Sequence, residues 1–296
     1  MTSNLDFEPV TEPAPAATPP VLSPGARSAI RTMLVLVALV ATAAGAVGLG
    51  GLAWGISSVR VAADTQTLPA DLQSLTIDTG DTPAAVRIVS DRNVREPRVR
   101  MRLLNTAQND QQALKVTRNG GDVGLTVAGS PSPMFDFGPP GEITVTLPPD
   151  VAHRLSVTAK QQVGVLLTQT NLDQLTVHNT DGAVVLGGNA RRVEIHTQSA
   201  DVQTRDPIVV SDSFVASSTD GHIAVDFKEI APRTVDITTQ NSDVDITLPT
   251  GGPYLVRAQA GDDAKVRVPQ TDDASRAVAQ ITARAPEGNI AVTTRR

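Results

Sequence analysis

The stretch "TVHNTDGAVVLGG", Thr176 to Gly188, alternates apolar with polar side chains, breaks at Asp181-Gly182, and resumes with valines. Period two is what a half-buried strand requires, and Asp-Gly marks a turn because both residues accept backbone conformations that others resist. The stretch therefore reads strand, turn, strand. The same pattern recurs along the chain. Taking the first apolar residue after each turn gives Val123, Ile143, Val163, Val184, Val202, Ile223, Val244, Val266 and Ile290, with steps of 20, 20, 21, 18, 21, 21, 22 and 24 residues. Spacing this regular predicts a repeat architecture.

The units agree in content as well. "ITVTLP" at Ile143–Pro148 matches "VDITLP" at Val244–Pro249 position for position, and a shortened "VRVP" closes a further unit at Val266–Pro269. One such unit cannot bury its valines alone, whereas stacked units cover one another's apolar stripes. Two all-β architectures satisfy the pattern. One is a right-handed β-solenoid, a stack of ~20-residue strand-turn-strand repeats; nine rungs at ~4.8 Å would extend about 43 Å. The other is an antiparallel β-sandwich, kept open by irregular stretches such as 90–112. Near-constant unit length and a core of Val, Ile and Leu favour the solenoid.

Composition excludes several function classes. The 296 residues carry a net charge of −6, and the first 63 hold three basic and three acidic groups, so the repeat region carries the same −6. A mildly acidic domain repels phosphate backbones, and aromatics at 2% leave few stacking platforms, so no nucleic acid partner is expected. The same shortage argues against an aromatic sugar-binding cleft. Cysteine is absent, which removes disulfides, thiolate metal sites, a cysteine nucleophile and a lipid-bearing cysteine together.

The N-terminus is of another kind. Residues 1–26 hold six prolines, three acidic and no basic groups and no apolar period, so a disordered, Pro-rich cytoplasmic tail is expected over 1–28. From Thr32 to Val59 run 28 residues without a charge, more than the ~20 that a helix needs to cross a bilayer, and a transmembrane helix is expected over 29–59. Trp54 lies near its far end, where an amphipathic ring suits the headgroup level. A cleaved signal peptide ending near "VAAD", Val61–Asp64, is the rival reading; the apolar run is about twice the usual 7–15 residues of such a segment, which favours an uncleaved signal-anchor. Arg27 and Arg31 before the span against Arg60 after it place the N-terminus in the cytoplasm and the remainder outside. Ala44, Gly48, Gly51 and Gly55 fall on one helix face, where a second copy could approach closely to form a homo-oligomer; an ordinary Ala/Gly-rich anchor explains them better. A linker is expected at 60–71, and an extracytoplasmic repeat domain over 72–296.

The run "GEITVTLPPDVAHRLSVTAKQQVGVLL", Gly141–Leu167, followed by turns of the x-G/S-D/x-V kind, resembles the bacterial putative-adhesin family of β-strand-repeat proteins. The resemblance covers about 114–296. It implies single-pass membrane proteins with repeats outside the cytoplasm, and it implies no particular chemistry. At the second turn Ala200 replaces the glycine, and the 131–140 insert "PSPMFDFGPP" lies outside the repeat.

Candidate functional residues follow from the same spacing. His178 and His196 are 18 residues apart, the Val184-to-Val202 step, so they should occupy equivalent places on adjacent rungs. Alternation puts both on the solvated face, where with Asp181 or Asp201 they form either an outward polar ladder or a weak metal site lacking a fixed third ligand. Asp181, Asp201, Asp220 and Asp243, with Asp262 and Asp263, should line one edge; turn chemistry explains them better than calcium, because the nine-residue Gly-rich calcium repeat is absent. Met134, Phe135 and Phe137 stand out in a valine-rich domain as a partner contact or as the cap of a stack. No catalytic motif, cofactor fingerprint or resident metal site is found. The expected role is a non-enzymatic, membrane-anchored, adhesin-like binding or scaffold protein of the cell envelope, contacting an envelope protein or polymer. An envelope-stress sensor signalling through the tail is the alternative, and a carboxylate-based hydrolase stands third.

Overall fold

In the computed structural model, residues 59–106, 113–128 and 141–295 are described. The expected tail, residues 29–58 of the expected membrane span with Ala44, Gly48, Gly51 and Gly55, and the 131–140 insert with Met134, Phe135 and Phe137 lie outside these residues. Among the described residues no helix is long and apolar enough to cross a membrane.

The described residues are all-β, an open sheet, with one short helical turn. Its strands are β1 (Val59–Thr67), β2 (Ser74–Asp78), β3 (Ala84–Ser90), β4 (Arg98–Thr106), β5 (Ala113–Asn119), β6 (Asp122–Ala128) and β7 (Gly141–Leu147). The turn α1 (Pro149–Ala152) follows, begun by a proline that needs no donor there. The long strands β8 (Ser156–Gln169), β9 (Leu172–Leu186) and β10 (Asn189–Thr204) come next. Then come β11 (Val209–Ser218), β12 (Ile223–Asp226), β13 (Thr234–Thr239), β14 (Val244–Leu248), β15 (Tyr254–Ala260), β16 (Ala264–Arg267), β17 (Ala279–Ala285) and β18 (Ile290–Thr294).

These strands form two walls. In the first, β6, β2, the front half of β8, β9 and β10, then β11, β13, β17 and β15 are hydrogen-bonded in that order, every pair parallel. In the second the order is β7, β3, the rear halves of β8, β9 and β10, then β12, β14, β18 and β16, again parallel. Antiparallel pairing among the described strands is confined to the N-terminal end, where β5 adds to β6, and β4 and then β1 add to β7. The stretch expected as a linker thus carries a strand: β1 pairs with β4 from Val59↔Thr106 to Thr67↔Arg98.

Parallel register puts like on like. One column of the first wall runs Leu125, Ile77, Ala159, Val177, Ile195, Ala216, Ile237, Ala283. One column of the second runs Ile143, Val86, Leu166, Val184, Val202, Ile223, Val244, Ile290. All of these are buried and belong to a single apolar core. Because side chains on a strand alternate between faces, the residues between them point outward and form equally regular polar columns.

Three of the positions drawn from the spacing are corrected by this register. Leu166, not Val163, precedes Val184 in the column; Val163 opposes Asp181 at the corner and is 43% exposed. Ala264, not Val266, opposes Ile290, since Val266 pairs with Val292. Val123 belongs to the first wall, opposite Leu75.

The corners between walls demand small residues. Gly164 and Gly182 are register partners where β8 and β9 turn from one wall to the other, with φ of 155° and 120°. A Cβ on Gly182 would lie 2.0 Å from the carbonyl oxygen of Gly164, so no side chain fits without moving the rung beneath.

Candidate ligand-binding face

One outward column of the first wall contains the histidines singled out by spacing. His178 and His196 are register partners on β9 and β10, between buried Val177 and Asn179 and beside buried Ile195. Their rings stack with centroids 5.4 Å apart and planes 16° from parallel. The column continues to Lys160 and Asp78 on one side and to Ser217 on the other. His196 is fixed by two contacts: its Nε2 lies 2.9 Å from Glu194 Oε1, and its Nδ1 lies 2.8 Å from Ser217 Oγ.

Around these side chains lies an open groove of about 370 Å³, lined by Asp78, Lys160, Gln161, Gln162, His178, Asn179, Thr180, His196, Thr197 and Gln198. Its floor is polar. Gln161 and Asn179 are each 4% exposed and are register partners; their amide groups donate to Ala84 O at 3.0 Å and Gly164 O at 3.3 Å. Their amide oxygens have no partner among the described residues, leaving two acceptors at the corner. The column beside the groove therefore presents, one rung apart, an acid, a base, two imidazoles and a hydroxyl, with polar groups repeating about every 4.8 Å.

The arrangement suits hydrogen bonding along an extended ligand better than chelation. Stacked rings point side by side rather than converging on one point, and no group of three or more His, Asp or Glu side chains able to hold a metal occurs among the described residues. Asp181 is exposed and opposes Ser199, away from the two rings in register.

Asp201, Asp220 and Asp243 each bond to the next rung. Asp201 Oδ1 accepts from the His222 amide at 2.9 Å, on the next rung. Asp243 Oδ1 accepts from the Asn289 amide at 2.7 Å and from its side chain at 3.1 Å, and these two bonds hold the Asp243 carboxyl below the usual carboxylate range. Asp220 accepts from Asn241 Nδ2 at 2.6 Å. Each acid thus bridges neighbouring rungs at an edge. His222, which spacing did not single out, lies 3.3 Å from Asp245 through its Nε2.

One ionic network escaped the sequence reading. Arg191 grips Asp173 with two bonds of 2.7 and 2.8 Å and lies 3.6 Å from Asp212, which Arg192 meets at 2.7 Å. The Arg191 hydrogen bond draws the Asp173 carboxyl below its ordinary range, and the Arg192 bond does the same for Asp212. The signal was present in the 18-residue step from Asp173 to Arg191, the rung length in this part of the chain.

A family model covers most of the chain. The Toastrack DUF4097 model matches residues 72–295. The chain belongs to the Toastrack DUF4097 family. Its strands β2 to β18, including the histidine column, fall inside the matched span. Among solved structures, a putative cell adhesion protein from Clostridium sporogenes is 10% identical, covering 80% of this chain and 100% of its own, with a TM-score of 0.37. A putative adhesin from Bacteroides fragilis is 12% identical over 80% of this chain and 97% of its own, TM-score 0.44. A putative lipid binding protein from Parabacteroides distasonis is 11% identical over 79% and 97%, TM-score 0.41. No curated protein matches the chain.

Proposed function

We propose that this Toastrack protein is a non-enzymatic, adhesin-like binding or scaffold protein of the bacterial cell envelope. In this reading residues 29–59 anchor it as a single span, the tail is cytoplasmic, and the strand domain stands outside the membrane as a β-solenoid-like stack. The observation that carries the binding role is the outward column Asp78, Lys160, His178, His196, Ser217, which presents a polar group on each successive rung beside an open polar groove. A rigid comb of this kind suits an extended polymer or peptide, which makes one contact per rung. Acids tied to backbone amides of the next rung are poorly placed for turnover, which supports a binder over a hydrolase.

The test is affinity capture of the full chain from cross-linked envelope. It is run beside a Lys160→Ala/His178→Ala/His196→Ala variant and a variant lacking 131–140, scored for proteins and glycan fragments. One saturable partner lost in the triple variant supports the column as the site. Loss in the deletion alone moves the contact to Met134, Phe135 and Phe137. A chain that folds and captures nothing contradicts the binding reading; a phenotype that then depends on residues 1–28 favours the sensor.

A further inference from the structure

We propose that the outer face of the second wall, at its N-terminal end, is a docking surface for anionic phospholipid headgroups, built on an arginine comb in β4. The inference rests on the anchored reading given above. Arg98, Arg100 and Arg102 occupy alternate positions of β4, with Val99 and Met101 between them buried at 0% and 1% exposure, so all three guanidinium groups stand on one outer face. Neighbours two residues apart on a strand are about 6.8 Å apart.

The comb is walled by hydroxyls. Arg98 lies between Thr67 of β1 and Thr146 of β7; Arg100 lies between Thr65 and Thr144; Arg102 opposes Glu142. The arginines and the β7 residues enclose a cleft of about 210 Å³. Guanidinium with flanking hydroxyl donors is the chemistry that recognises phosphate oxygens.

Among the described residues, charge compensation is weaker here than elsewhere. Arg191, Arg192, Arg284 and Arg295 each meet an aspartate. Among the described residues none of Arg98, Arg100 and Arg102 makes an ion pair or side-chain hydrogen bond. The single acid beside them, Glu142, leaves an excess positive charge on a chain whose net charge is −6. Arg87, in register with Thr144 on the far side, adds to it.

Two further observations select a lipid surface over soluble phosphate. On the same outer face, across β7 and β3, lie Val165 at 39% exposure, with register partners Ala85 and Ala183, and half-buried Leu167 with its partner Val185. A basic row beside an apolar row is the pattern of an interfacial surface. The second is covalent. β1 begins at Val59, where the uncharged run ends, and it carries the register partners of the comb. Arg102 opposes Ala63, four residues along, or about 14 Å of extended chain, and Arg98 opposes Thr67, about 27 Å. Chain length alone therefore keeps the comb within reach of a bilayer surface.

The experiment places the full chain in bilayer nanodiscs of phosphatidylcholine with 0 or 40% phosphatidylglycerol. The chain has no cysteine, so Asn93→Cys gives a single dye site in the exposed turn before β4, read by quenching from headgroup-labelled lipid. Quenching that rises with phosphatidylglycerol, falls in 500 mM salt, and is lost in Arg98→Gln/Arg100→Gln/Arg102→Gln but kept in Arg191→Gln/Arg192→Gln supports the proposal. The expected effect is roughly 5-fold in surface association per arginine, near 100-fold for the three. Equal quenching at 0 and 40% anionic lipid, or a triple variant like the parent, overturns it. So does loss of quenching in millimolar inorganic phosphate at constant ionic strength, which marks a soluble-phosphate site. Thermal unfolding of the triple variant separates loss of fold from loss of binding. If the chain fails to enter the discs, the anchor reading falls; the same lipids are then offered as vesicles, where binding that needs both phosphatidylglycerol and the comb upholds the surface, and its absence refutes it.

Discussion

Gly182→Ala tests the corner on which the two-walled stack depends. Gly182 adopts φ of 120°, a region that L side chains avoid, and its new methyl would sit 2.0 Å from Gly164 O and 2.9 Å from Gly164 C. Gly164 has no room to retreat, because its own Cβ position lies 2.2 Å from Ala84 O on the rung below. The strained backbone costs on the order of 1–3 kcal/mol, and shifting a hydrogen-bonded rung adds to it, so a total near 3 kcal/mol is expected. For the 58–296 unit, each kcal/mol lowers Tm by about 2–4 °C, giving a loss of ~6–12 °C. Gly251→Ala is the control: a Cβ there meets nothing within 4 Å, so Tm should hold or rise slightly. The assay is thermal unfolding of the full chain followed by far-UV circular dichroism. The reasoning fails if Gly182→Ala melts within about 2 °C of the parent, or if both variants shift alike. Ala200 shows why the next rung differs. It opposes Gly182 in register and is fully buried, yet Glu229 is the only non-glycine residue with positive φ among those described.

Other perturbations probe the core, its alternation and its charge network. Phe214 and Phe227 are fully buried and meet edge to face at 5.3 Å, so Phe214→Ala should cost about 3–5 kcal/mol, seen as a lower urea midpoint at unchanged slope; a change under 1 kcal/mol contradicts the packing. Val184→Asp and Val185→Asp differ by one position on β9: the first places a charge in the core column and should abolish folding, while the second, on the outer face, should stay within about 1 kcal/mol of the parent. Equal effects would mean that the register is misassigned. Asp243 is held below the ordinary carboxylate range, so its contribution is fully present above pH ~4 and is lost as pH falls through the lowered folded value; Asp173, Asp212 and Asp273 act in the same sense. Tm should therefore be flat from pH 7 to 5 and fall below 4, with a shallower acid limb in Asp243→Asn, and an unchanged limb in that variant removes Asp243 from the account.

How much of this was legible turns on what parallel pairing does to sequence. Val184, Val202, Ile223, Val244 and Ile290 share a column, and His178 and His196 share another, because a parallel rung places residues one repeat apart at the same height. Spacing alone therefore carries side-chain neighbours into view, as it would have done for Asp173 and Arg191. Spatial order is a different matter. β17 and β18 insert between β13/β14 and β15/β16, and β2 and β3 lie inboard of β6 and β7, so chain neighbours at both ends are not rung neighbours. Nothing in alternation records this, since any Val/Ile stripe of the right length matches any other. The errors at Val163 and Val266 have local causes: Val163 stands one residue before its corner glycine, Gly164, whereas Val184 stands two after Gly182, and Val266 lies two residues beyond Ala264, which takes the column position opposite Ile290. The arginine comb was invisible for a further reason. Alternate arginines on one strand read as an ordinary solvated face, and only the antiparallel pairing of β1 and β7 around β4 flanks Arg98 and Arg100 with threonines and sets a single acid, Glu142, beside the three.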